Sequence, residues 1–79
     1  MAMEYVNHPD HYQSKSGIEC IDAIAAATEN LKGEEAFCIA SAIKYLWRYN
    51  EKFNPAEDLR KAEWYIDRVI RKLEEDSNG

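Results

Sequence analysis

At 79 residues the chain has room for one domain. A domain this small buries a low fraction of its surface, so its own core supplies modest stability and self-association is expected. The composition, 46% hydrophobic and 11% aromatic with three glycines and two prolines, is that of a folding chain and not a disordered one. A net charge of −5 argues against general binding to long nucleic acid or to membrane surfaces, for which a basic excess or stripe is the usual footprint.

The charge is uneven. Residues 1–31 carry one Lys or Arg against five Asp or Glu, residues 32–53 four against three, and residues 54–79 five against seven. Only the middle third is net positive, which leaves a small anion as a partner. No run approaches a membrane span, and the amino terminus lacks the order of a signal peptide, so a cytoplasmic location is expected.

Val6-Asn7-His8-Pro9-Asp10-His11-Tyr12 and the polar run after it, closed by Gly17, read as an extended arm. Pro9 disfavours helix at His8, and Asn, Asp, Ser and Gly supply turn chemistry. Within the arm, His8, Asp10 and His11 have three readings. They cap and hydrogen-bond the arm onto the helices, they touch a ligand directly, or with Glu19 or Asp22 they form a metal or acid/base cluster. HxDH spacing in an arm is a weak metal signal, and no metal is assigned.

From Ser16 the pattern changes. Ile18, Ile21, Ile24 and Ala25 share one helix face, Ser16 is placed to cap it with Glu19 three residues on, and the first helix is predicted over 18–30, ended by Leu31-Lys32-Gly33. A second helix is predicted over 34–52, with Glu34 and Glu35 favouring the positive end of its dipole. Phe37, Ala40, Ile43 and Trp47, widened by Ile39, Ala42 and Leu46, are its predicted core stripe, while Ser41, Lys44, Arg48 and Glu51 fall on another side flanked by Tyr45 and Tyr49. Phe53-Asn54-Pro55 breaks that helix. Asn54 as cap, Pro55 at the first helical position and Glu57 completing a capping box start a third helix, predicted over 55–75, whose seam is Leu59, Ala62, Ile66, Val69 or Ile70, and Leu73. Residues 76–79 read as a fraying tail.

These elements predict an all-α fold: three helices, the second and third an antiparallel hairpin crossed by the first, with the arm at the amino terminus. Cys20 and Cys38 lie far apart inside apolar patterns. Buried thiols are the expectation, ahead of a disulfide or metal ligands.

Four ordered blocks resemble a known family: Asn7-His8-Pro9-Asp10-His11-Tyr12, Glu19-Cys20-Ile21-Asp22, Ala42-Ile43-Lys44-Tyr45-Leu46-Trp47-Arg48-Tyr49, and residues 57–68 from Glu57 to Arg68. Over about residues 6–70 the chain is similar to a small bacteriophage domain of unknown function, called SaV-like, and a similar domain lies within a phage protein described as a nucleotide kinase. The resemblance implies a phage protein acting in the cytoplasm of an infected bacterium, with a link to nucleotides. The chain lacks a GxxxxGK[ST] loop, so phosphoryl transfer here needs another kind of phosphate site.

The candidate site follows from residue types. If helices two and three lie side by side, Lys44, Arg48, Lys61 and Arg68 hold phosphate while Tyr45, Trp64 or Tyr65 stacks a base, with His8 and His11 as further ligand contacts. The plain alternative has those cations in salt bridges with Glu19, Asp22, Glu57 and Asp67. Trp47 and Tyr49 are read as packing residues, and Trp64, off the seam, as covered by a second subunit or by a ligand.

Three functions are carried forward. The first is a nucleotide-binding accessory protein with no cofactor. The second is a nucleoside monophosphate kinase, with no catalytic residue identified and a Mg²⁺ site built from Glu19, Asp22 or Asp10. The third is a module that binds a host protein through Trp64 and Tyr65.

Overall fold

A computed structural model describes residues 17–51 and 53–78. Its elements are α1 (Cys20–Ala27), α2 (Gly33–Arg48), a turn of 3₁₀ helix (Tyr49–Glu51) and α3 (Pro55–Asn78). Among the described residues the fold is all-α with three α-helices, as predicted. The arm, with His8, Asp10, His11 and Ser16, lies outside the described residues.

Helix α1 is shorter than its apolar pattern. Glu19, with extended backbone, takes the cap position without a side-chain cap bond. At the other end both the backbone N–H and the hydroxyl of Thr28 donate to the Ile24 carbonyl, at 2.9 and 2.8 Å. That double bond to one acceptor closes the last turn at Ala27. Gly33 then takes φ +61°, the left-handed region that costs a side-chain-bearing residue most, and redirects the chain into α2. Helix α3 begins as expected: Pro55 opens it, and the Glu57 N–H donates to Asn54 Oδ1 at 3.4 Å. It continues to Asn78, three residues past the predicted end.

Contacts run in opposite chain order: Glu34 meets Arg68, Phe37 and Tyr45 meet Tyr65, and Arg48 meets Asp58. Helices α2 and α3 therefore form an antiparallel hairpin, and α1 packs chiefly against α2.

The core follows the predicted stripes at Ala42, Ala62 and Val69 and is rotated away from them elsewhere. Cys38, Ser41 and Ala42 are buried on α2, whereas Phe37 and Leu46 are 62% and 46% exposed and Ala40, Ile43 and Trp47 half-buried. On α3 the buried line is Asp58, Ala62 and Val69, with Tyr65 half-buried, while Leu59, Ile66, Ile70 and Leu73 stay at least 38% exposed. Both buried lines follow the spacing of three and four that defines one helix face. Small side chains on each allow the two backbones to approach closely, and this contact orients the hairpin more than the count of large apolar residues does. On α1, Ile18 and Ile21 are likewise exposed, and Cys20 is the buried residue. Both cysteines are buried and free.

Candidate functional site

The rotation carries Arg48 inward. Its Nε lies 3.5 Å from Asp58 Oδ2, and the two side chains are 14% and 3% exposed. This ion pair spans the end of α2 and the first turn of α3. Asp58 is also placed where the helix dipole favours a negative charge.

Beside the pair stands Tyr45. Lys44 Nζ is 4.8 Å from its ring centroid, the Arg48 guanidinium carbon 5.1 Å, and Lys61 Nζ, from α3, 5.5 Å. These are cation–π distances, and they place the two ammonium groups within about 10 Å of one another. The Tyr65 ring stacks on Tyr45 at 6.1 Å and 14°. Phe37 and Trp64 each meet Tyr65 edge-on, at 5.8 and 5.0 Å. Trp64 and Phe37 are 61% and 62% exposed, so the aromatic row opens to solvent at both flanks.

Charge bookkeeping marks the place. Three cations share one ring and Asp58 faces one of them, so positive charge gathers at this point of a chain of net charge −5. Two unit charges about 10 Å apart repel by about 0.4 kcal/mol in bulk water and by nearly 2 kcal/mol at an effective dielectric constant of 20. An anion seated between them removes that penalty. The Cys20 thiol, at the start of α1, borders the same region: burial pushes its pKa up, and the charge of Lys44 partly opposes the shift.

Arg68 does not join the cluster. It pairs with Glu34 at the other end of the hairpin, and the hydrogen bond and charge of that carboxylate hold the guanidinium further above the ordinary arginine range. Of the acidic partners expected for these cations, Asp67 instead bonds Arg71 within α3, at 2.8 Å. A small groove between the start of α2 and the end of α3, lined by Glu34, Cys38, Arg68 and Lys72 among others, is separate from Tyr45. Of the predicted site residues, then, Lys44, Tyr45, Arg48, Lys61 and Tyr65 come together, with Trp64 at the edge and Arg68 apart; His8 and His11 lie outside the described residues. Among the described residues no three His, Cys, Asp or Glu side chains are grouped to hold a metal ion.

Sequence reasoning missed Asp58, Glu34 and Phe37. Asp58 was legible in principle, because Asp58, Ala62, Tyr65 and Val69 share one helix face and an acid within that pattern calls for a buried basic partner. Phe37 was assigned to the core by its spacing with Ala40, Ile43 and Trp47, and the packing leaves it 62% exposed.

The profile of a family described as protein of unknown function, DUF3310, matches residues 6–67. The chain belongs to the DUF3310 family. The matched span takes in Lys44, Tyr45, Arg48, Asp58, Lys61 and Tyr65 and ends one residue before Arg68. No curated protein and no solved structure shows significant similarity to this DUF3310 member. No helix among its described residues is long and apolar enough to cross a membrane.

Proposed function

We propose that this DUF3310 protein binds a nucleotide or nucleotide-derived small molecule on the face of α2 and α3 around Tyr45, as an accessory protein of a phage acting in the cytoplasm of its host. The observation that carries the reading is the convergence of Lys44, Arg48 and Lys61, from two helices, on one tyrosine ring. Lys44 and Lys61 supply point charges for a phosphate group, and Tyr65, Trp64 and Phe37 supply flat apolar surface for a base. Arg48 is held by Asp58 and acts chiefly by keeping the cluster's charge in place. His8 and His11 are proposed as additional contacts from the arm. The phage setting rests on the four sequence blocks alone.

Binding is the proposal, and turnover is not required. A kinase would need a Mg²⁺ site from Glu19, Asp22 or Asp10 and a second substrate position. A second reading is favoured by the exposure of Trp64 and Phe37: the same face as the contact surface for a host protein, since exposed Trp and Tyr beside cations are typical interface anchors.

Thermal unfolding of the full chain against inorganic phosphate, nucleosides, nucleoside mono- and triphosphates and cyclic dinucleotides tests the proposal. A nucleotide present at about 100 times its Kd should stabilise by about 2.7 kcal/mol. The Lys44→Ala/Lys61→Ala pair should lose that shift while keeping its helicity. Stabilisation by no nucleotide, or an undiminished shift in the double variant, refutes the site. Formation of nucleoside diphosphate from a monophosphate with ATP and Mg²⁺ would replace binding by catalysis.

A further inference from the structure

Helix α3 presents a second face, turned away from Tyr45. Leu59, Ile66, Ile70 and Leu73 follow one another at spacings of seven, four and three, so they form one stripe along the helix. They are 40%, 38%, 47% and 51% exposed, beside the buried line of Asp58, Ala62 and Val69 that α2 covers. Leu46, 46% exposed, stands two residues from Lys44 and thus on the opposite side of α2 from the cation cluster. Since α1 packs chiefly against α2, nothing among the described helices is positioned to cover this surface.

We propose that this face is the surface on which two copies of the chain pack, α3 against α3 in antiparallel orientation. Area is the first reason. The four large aliphatic side chains of the stripe leave roughly 350 Å² of apolar surface on each chain, at the scale that marks an interaction site on a small protein. Two such faces remove roughly twice that from water. That lies below the roughly 1,200–2,000 Å² of standard interfaces, in the range of weaker, reversible pairings that form as concentration rises.

Register is the second reason, and it selects a second copy over an unrelated partner. Leu59 and Leu73 stand seven residues before and after Ile66. A two-fold axis at Ile66 therefore sets that residue on its own counterpart and each Leu59 on the second copy's Leu73. A patch that complements itself under a two-fold rotation is the requirement of an isologous dimer. The interface lies on the opposite side of α3 from Lys61 and Trp64, so it leaves the proposed ligand face open on both copies and stands independently of that reading.

Sedimentation equilibrium of the full chain over a wide concentration range tests the pairing. The wild-type chain should show twice its sequence mass. Ile66→Glu, which puts a carboxylate against itself at the axis, should weaken association by at least tenfold with unchanged far-ultraviolet circular dichroism. Single cysteines give a second measurement that does not depend on that variant: under oxidising conditions Ile66→Cys should form a disulfide-linked dimer far faster than Trp64→Cys, on the other side of α3. A wild-type mass of one chain at every concentration overturns the proposal. So does a folded Ile66→Glu variant that keeps the double mass, or cross-linking no faster at position 66 than at 64.

Discussion

Removing the carboxylate of Asp58 should be the most damaging single change on the hairpin. Asp58 is 2% exposed and its side chain 3%, and Arg48 opposite it is 14% exposed in its side chain. At 3.5 Å the pair gains nearly 5 kcal/mol of gross Coulomb energy at an effective dielectric constant of 20, most of which the desolvation of both groups offsets. Asp58→Ala removes the carboxylate that offsets much of the desolvation of Arg48. Breaking a buried pair in this way costs about 3–5 kcal/mol, and the residual exposure of Arg48 puts this case near 3. A chain of this size has about 4–12 kcal/mol in total, and each kcal/mol moves its Tm by about 4–8 °C. The expected fall is therefore 12 °C or more, on the order given by those two ranges. Urea unfolding followed by circular dichroism measures it directly. The second arm is the apolar replacement Arg48→Met/Asp58→Leu, which should return to within about 1 kcal/mol of wild type because neither charge is then buried. A cost below about 0.5 kcal/mol for Asp58→Ala, typical of an exposed pair, would refute the reasoning. So would a double variant as unstable as the single one.

Other consequences follow from single residues. Lys44→Ala should change stability by less than about 0.5 kcal/mol, since it relieves repulsion as it removes a cation–π contact; a large loss in urea unfolding would make the cluster structural. Tyr65→Ala, which removes the ring contacted by Phe37, Tyr45 and Trp64, should cost about 2–3 kcal/mol by the same measurement, against under about 1 for the exposed Trp64→Ala. Gly33→Ala should cost about 1–2 kcal/mol through its positive φ alone, because no atom lies within 4 Å of an added Cβ. Burial raises the Cys20 thiol above its ordinary 9.0, so the folded state favours the neutral form. That contribution is fully present below the ordinary thiol range and is lost as pH rises through the raised value. Wild type should therefore lose more stability above pH 9 than Cys20→Ala does, each referred to its own stability at neutral pH; equal losses would count against it.

Local chemistry alone determined which helices exist and where α2 and α3 begin, while α1 came out shorter than its pattern and α2 gave way to a 3₁₀ turn after Arg48. Asn54 and Pro55 announce the start of α3, Glu34 and Glu35 the first turn of α2, and the absence of alternating apolar residues an all-α fold; each depends on neighbours a few positions away. Which side of each helix turns inward was not legible from apolar type. Phe37 and Leu46 outrank Cys38 and Ser41 in hydrophobicity, yet the hairpin closes over the smaller pair, because close approach of two helices depends on the matching of small surfaces on both. That rotation also decided the cluster. The sequence holds four cations on two helices, but only the crossing of α2 and α3 brings Lys44, Arg48 and Lys61 to one ring while sending Arg68 to Glu34. Distances between residues far apart in the chain are a property of packing, and no spacing within either helix encodes them.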